Sequence, residues 1–89
     1  MISIVIPTYE QKGEGAKYLT ILLQSIQHQK ITVPYEVVIS DNSNDNSIFY
    51  AVQYFPELPI RYQYNPIRGA SQNINNAIDL AQYDKVKIM

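Results

Sequence analysis

Residues 2–7, Ile2-Ser3-Ile4-Val5-Ile6-Pro7, are β-branched and apolar nearly throughout. So short and uniform a run predicts a strand buried on both faces, as in the interior of a parallel sheet. Pro7 has no N–H to give a ladder and is expected to end the strand. A polar stretch over residues 8–15 follows. Over residues 17–29, Leu19, Leu22, Leu23 and Ile26 recur at the spacing of a helix with one apolar face. Residues 36–40 (Glu36-Val37-Val38-Ile39-Ser40) read as a second buried strand. The polar run 41–47 then leads into a short helix reaching about Tyr54, with Asp45 or Ser47 as its cap. Ile60-Arg61-Tyr62-Gln63-Tyr64 alternates apolar with polar, which predicts a half-exposed strand at a sheet edge. After the turn Asn65-Pro66-Ile67-Arg68-Gly69, the residues Ala70, Ile74, Ala77, Ile78 and Ala81 draw the clearest helical stripe in the chain. Lys85-Val86-Lys87-Ile88-Met89 begins a fourth strand.

The order βαβαβαβ, with short connections and no repeat, predicts a parallel sheet with helices on its faces, joined by right-handed crossovers. This is a three-layer α/β/α Rossmann-like fold. The uniformly apolar strands belong inside and the alternating third strand outside them, so the spatial order is 3-2-1-4. The fourth strand sits badly with an interior place, because Lys85 and Lys87 alternate with Val86 and Ile88. Either it lies at an exposed edge, or its lysine stems reach out of the sheet at one end. An edge left open in this way offers a template for self-association.

Composition narrows the function classes. The 89 residues suffice for one domain. Hydrophobic residues make up 46% and charged residues 17%, the balance of a folded chain and not a disordered one. Net charge is −1 and the seven Lys and Arg are scattered, so no nucleic-acid partner is expected. The absence of cysteine excludes disulfides, a thiolate nucleophile and cysteine-based zinc sites, and it suits a reducing compartment. No secretory leader opens the sequence, and no stretch reaches the roughly 18–20 apolar residues of a membrane span. A cytoplasmic location is expected, with a longer parent enzyme in the cytoplasm or at the cytoplasmic face of a membrane.

In open α/β sheets, ligands bind beyond the carboxyl ends of the strands. Pro7-Thr8-Tyr9-Glu10, Ser40-Asp41-Asn42-Ser43-Asn44 and Arg68-Gly69 should meet there. Each has an ordinary explanation: a tyrosine covering a helix end, side chains of a turn bonding their own backbone, a glycine admitting a helix. Asp41 stands apart, because it follows a β-branched strand directly, where turn chemistry does not call for a carboxylate. Together the three segments suit a nucleotide. Tyr9 offers a stacking face to a base, and Asp41 an acceptor for a base N–H or a ribose hydroxyl. Arg68 at a helix N-terminus offers a partner for phosphate.

Two other patterns fail. Gly13-Glu14-Gly15-Ala16-Lys17-Tyr18 approaches the dinucleotide fingerprint, but Tyr18 replaces its third glycine, the run starts several residues after the strand, and Asp41 lies too far downstream. It also lacks the Gly-Lys-Ser/Thr ending of a phosphate-binding P-loop. His28, the single histidine, stands amid glutamines without a second ligand and reads as a surface residue.

Three pieces, in order and in register, resemble the nucleotide-binding first half of family-2 glycosyltransferases of the GT-A fold. Ile2 through Tyr9 resembles that family's opening strand, V-S-V-V-I-P-T-Y-N. Residues 36–47 resemble its second strand with the turn D-D-G-S-T-D-G-S, and residues 65–81 resemble its N-x-x-x-G entry and following helix. The resemblance makes residues 1–89 the half of a GT-A domain that binds a nucleotide-diphosphate sugar. It implies Tyr9 against the base, with Pro7, Thr8 and Glu10 shaping the rim, and Asp41 bonding the base. Arg68 and Gly69 would lie near ribose and phosphates, and Asn75 would match an asparagine frequent in the family's helix. Ser40, Asn42, Glu10 and Ile74 depart from the family's usual aspartate, glycine, asparagine and arginine, which bears on donor preference more than on fold.

The resemblance also implies Mg²⁺ or Mn²⁺ on an Asp-x-Asp motif after the fourth strand, and a catalytic base further on. Neither is present in the sequence. Asp79 and Asp84 belong to the wrong end of the sheet, so the expectation is a nucleotide-binding portion inactive by itself, with sugar transfer by a longer parent enzyme. The alternative is a small non-catalytic α/β module, receiver-like, flavodoxin-like or an inert structural fragment. A receiver would want an acidic pair after the first strand and an aspartate after the third, where this chain has Tyr9-Glu10 and Asn65.

Overall fold

A computed structural model describes residues 1–10, 14–29, 31–67 and 69–89. Its elements run β1 (Ile2–Thr8), α1 (Glu14–His28), β2 (Tyr35–Asp41), α2 (Ser47–Val52), β3 (Ile60–Tyr64), α3 (Ala70–Leu80) and β4 (Lys85–Ile88). The four strands form one parallel sheet in the order β3-β2-β1-β4, as the hydrophobic pattern predicts. No helix among the described residues is long and apolar enough to cross a membrane.

Alternation along the two central strands divides the interior. Ile4, Ile6, Val37 and Ile39 face α1 and α2, where they pack with Leu19, Leu23, Ile26, Ile48, Val52 and Phe55 in the main core. Val5 and Val38 face α3 and form a much smaller core with Ala77, flanked by Leu80 and Ala81. The second face is small because polar side chains occupy both of its ends. Ser3 and Glu36 lie at one end and Ser40 at the other, all of them buried.

At the first end, the Ser3 hydroxyl and the Gln82 N–H both donate to Glu36 Oε2, each at 2.6 Å. Tyr83 N–H donates to Ser3 Oγ at 3.1 Å, and Arg61 pairs with Glu36 Oε1 at 3.4 Å. Burial pulls the Glu36 pKa upward, but the Ser3, Gln82 and Arg61 partners outweigh it and hold the carboxyl below its ordinary value. The result is a polar clamp joining β1, β2 and β3 to the turn before β4.

Several boundaries differ from the sequence reading. β1 continues through Pro7 to Thr8. Even-numbered residues of β1 bond toward β2, as Asn42 N–H to the Thr8 carbonyl at 3.0 Å shows. Odd-numbered residues bond toward β4, as Met89 N–H to the Val5 carbonyl at 3.0 Å shows. Proline at position 7 therefore points its missing donor to the side where β4 pairing stops, at Val5↔Ile88, and the ladder to β2 loses nothing. α1 starts at Glu14, ahead of the first apolar repeat, and α2 stops at Val52. β4 is an edge strand with all four residues exposed. Lys85 and Lys87 thus stand on an open edge, where lysines discourage strand addition.

The stripe expected on α3 is also rotated. Its buried residues are Asn73 and Ala77, whereas Ile78 is exposed. A buried asparagine holds that place because every polar atom of its carboxamide finds a partner below.

Candidate functional site

Beyond the carboxyl ends of β1 and β2, a cavity of about 510 Å³ is lined by Pro7, Thr8, Tyr9, Asn42, Gly69, Ala70, Asn73 and Ile74. Its floor is a hydrogen-bonded lattice. Asn73 Nδ2 donates to the Ser40 carbonyl at 2.9 Å and the Thr8 carbonyl at 3.2 Å. Its Oδ1 accepts from the Ser40 hydroxyl at 2.7 Å and from Asn65 Nδ2 at 3.4 Å. Asn76 Nδ2 donates to Ser40 Oγ at 2.7 Å. One buried side chain on α3 thereby fixes the helix across β1 and β2 at the point where the two strands part.

A second asparagine shapes the wall. Asn42 Nδ2 donates to the Asn65 carbonyl at 2.7 Å and the Ile67 carbonyl at 3.1 Å. Both acceptors are carbonyls, so the carboxamide orientation is determined, and its Oδ1 is left as an acceptor on a residue that lines the cavity. These bonds hold the connection between β3 and α3 against the end of β2. That connection enters α3 through Gly69, whose φ of 127° and ψ of 139° lie where side chains are not tolerated. α3 begins there with main-chain N–H groups that have no partner within the helix, a natural place for an anion.

Tyr9 is half exposed and borders two cavities. The second, of about 520 Å³, lies on the α1 side between Ile6, Tyr18, Leu22 and Met89. The backbone of Tyr9 is fixed from behind. A Cβ on Gly15 would overlap the Tyr9 carbonyl oxygen and lie 2.8 Å from Glu10 Cα, so α1 approaches this closely only because residue 15 is glycine. Glu10 completes the anchor: its N–H donates to Ser43 Oγ at 2.7 Å, and its Oε1 accepts the Ala16 N–H at 2.8 Å. A carboxylate suits the positive end of α1. Gly15, part of the apparent dinucleotide fingerprint, thus serves helix packing.

The structure sorts the predicted site residues into groups. Pro7, Thr8, Tyr9 and Gly69 line one cavity. Glu10 is buried and supports Tyr9 from behind instead of forming a rim. Asp41 is fully buried under the cavity. Its Oδ2 accepts the Tyr62 hydroxyl at 2.5 Å, and its Oδ1 accepts the Ser43 N–H at 2.9 Å and the Thr8 hydroxyl at 3.3 Å. The turn does use a carboxylate here, for an Asx bond to residue 43 and for Tyr62. Burial and the Asp41 carboxylate push the Tyr62 hydroxyl far above its ordinary pKa, so it stays a donor. Asn75 is exposed and outside the cavity lining, and Arg68 lies outside the described residues.

Ser40 and Asn42 belong to a segment expected at the strand ends, but their bonds to Asn73 and to the β3–α3 connection were not anticipated, and Asn65 and Asn73 were given no place in the site. The available signal was a density of small polar side chains: Ser40 and Asn42 about the end of β2, Asn65 directly after β3 and Asn73 in the first turn of α3.

The carboxylates do not fit a divalent metal. Asp41 has both oxygens engaged and Glu10 holds the first turn of α1. Among the described residues, no group of three or more His, Asp or Glu side chains could hold an ion.

No curated protein sequence matches the chain significantly. A crevice at the strand ends, walled by a tyrosine after β1 and a glycine opening α3, is where the family resemblance places a donor nucleotide. Residues 3–89 match the family model described as Glycosyl transferase family 2, and the chain belongs to that family.

Proposed function

We propose that residues 1–89 form the donor-nucleotide site of a glycosyltransferase that moves a sugar from a nucleoside diphosphate to an acceptor. The observation that carries this reading is the single cavity uniting an aromatic face, an oriented carboxamide acceptor and the open N-terminus of α3. The base stacks on Tyr9, Asn42 Oδ1 accepts a base or ribose donor, and the phosphates lie toward Gly69 and Ala70. Arg68, next in sequence to Gly69, supplies the cation that phosphates require. Asp41 acts through others, holding the Thr8 hydroxyl and the 42–43 turn in place.

Among the described residues no group of three or more His, Asp or Glu side chains could hold the metal that the family resemblance implies. A non-catalytic α/β module would share the fold but has no need of a cavity with these three features.

Calorimetric titration with UDP, GDP, ADP and CDP tests the reading. At least one should bind, and Tyr9→Ala should weaken it about 5- to 100-fold, the range for losing a base–aromatic stack. Equal affinity for wild type and Tyr9→Ala would remove the aromatic face from the site.

A further inference from the structure

On the other face of the sheet lies a cavity with different chemistry. It measures about 430 Å³ and is lined by Ser43, Asn44, Asp45 and Asn46 of the 43–46 loop, Phe49 and Tyr50 of α2, and Tyr62 and Tyr64 of β3. We propose that this cavity binds an alkylated ammonium group, held by the four aromatic rings and the Asp45 carboxylate. The proposal is independent of the nucleotide reading and uses none of its ligand contacts.

Four observations support it. The rings meet at steep angles: Phe49 stands 64° to Tyr62 with centroids 5.4 Å apart, and 62° to Tyr50 at 5.8 Å. Rings so disposed form separate walls and not one stack. Tyr62 is fixed, because its hydroxyl is bound to the buried Asp41. Phe49, Tyr50 and Tyr64 remain 41%, 59% and 49% exposed, so a large aromatic surface faces solvent around one opening.

The last observation is charge. Among the described residues no Lys, Arg or His lines the cavity, and the one ionisable group there besides tyrosine is Asp45, whose Oδ1 accepts the Ser47 N–H at 2.9 Å. Bonding to Ser47 holds that carboxyl below its ordinary pKa, so it is ionised at neutral pH. A phosphate would meet a carboxylate and the negative faces of the rings. An ammonium is attracted by both, and alkylation makes it apolar enough to leave water for an aromatic enclosure. The volume falls within the about 300–1,000 Å³ of small-ligand sites.

The test is an NMR titration of the 89-residue chain with tetramethylammonium and with choline. The neutral isostere of choline, 3,3-dimethylbutan-1-ol, and cellobiose serve as comparisons. The two cations should shift Phe49, Tyr50 and Tyr64 and saturate in the millimolar range, with the isostere at least about tenfold weaker. Tyr64→Ala and Asp45→Asn should each weaken choline about 3- to 10-fold. Both residues are exposed, and an otherwise unchanged spectrum would show that the variants fold. Binding of the isostere as tight as choline would overturn the proposal, leaving an apolar pocket without preference for charge. So would stronger shifts from cellobiose, or no shift at these residues with either cation.

Discussion

Replacing Asn73 with alanine tests whether the lattice beneath the cavity holds the fold together. The side chain is 3% exposed and makes three short hydrogen bonds, at 2.7, 2.9 and 3.2 Å, with a fourth at 3.4 Å. A net hydrogen bond contributes about 1 kcal/mol, and a partner left buried and unpaired costs about 1–3 kcal/mol. The carbonyl of Thr8 retains the Asn42 N–H, which limits the loss on that side. Asn73→Ala should therefore cost about 2–4 kcal/mol. Domains of this kind are stable by about 0.05–0.15 kcal/mol per residue, so this is a large share of the total. In urea, with a slope of about 1 kcal/mol/M, the midpoint should fall by about 2–4 M at unchanged slope.

Asn73→Asp sharpens the test, because its shape hardly changes. Its second oxygen would face the Ser40 and Thr8 carbonyls where Nδ2 now donates, and a buried charge without a partner costs more than the lost bonds. The aspartate variant should be less stable than the alanine variant at neutral pH and recover relative to it as pH falls and the carboxyl takes up a proton. An alanine variant within about 0.5 kcal/mol of wild type, the range of an ordinary surface change, would refute the lattice as a structural element.

Other consequences are as specific. Gly15→Ala places a Cβ against backbone atoms of Tyr9 and Glu10. Overpacking of about 1–3 kcal/mol should exceed the about 0.5–1 kcal/mol that alanine gains in a helix, and a thermal midpoint equal to wild type would contradict the contact. Gly69→Ala must force alanine to a φ of 127°, at about 1–3 kcal/mol; an unchanged urea midpoint would mean that the α3 entry relaxes freely. Glu36 sets a pH dependence. Its folded pKa lies below the unfolded 4.5, so its contribution is present above that value and is lost as pH falls through the folded pKa. Stability of wild type should drop below about pH 4.5 more steeply than that of Glu36→Gln, and parallel acid profiles would exclude the Ser3–Glu36–Gln82 clamp as the cause.

The fold was legible because its signals are redundant. Two β-branched runs, one alternating strand and helical repeats between them leave few arrangements, and right-handed crossovers reduce these to the order found. What pattern could not show was where polar side chains replace apolar ones inside. Ile78, on the expected apolar stripe, is exposed, while Asn73, off that stripe, is buried, because α3 docks on Ser40 and two carbonyls instead of on a broad apolar face. Pro7 illustrates the same limit, since whether proline ends a strand depends on which neighbour its missing N–H would have faced.

The site was legible in part. Pro7, Thr8, Tyr9 and Gly69 come together because their positions follow from strand ends and a helix start. Asp41 was assigned to the ligand by its place after a strand, but its partner Tyr62 lies 21 residues away and invites no pairing in the sequence. Asn42, one residue further on, reaches the cavity instead, because its carboxamide spans to the β3–α3 connection.

The most direct test of a donor-nucleotide site is an amide NMR titration of the 89-residue chain with a nucleoside diphosphate. Thr8, Tyr9, Asn42, Gly69 and Ala70 should move together and fit one dissociation constant, with the β4 edge and the 43–46 loop far less affected. Shifts confined to the β4 edge or to the aromatic cavity, or no shift at millimolar nucleotide, would contradict it.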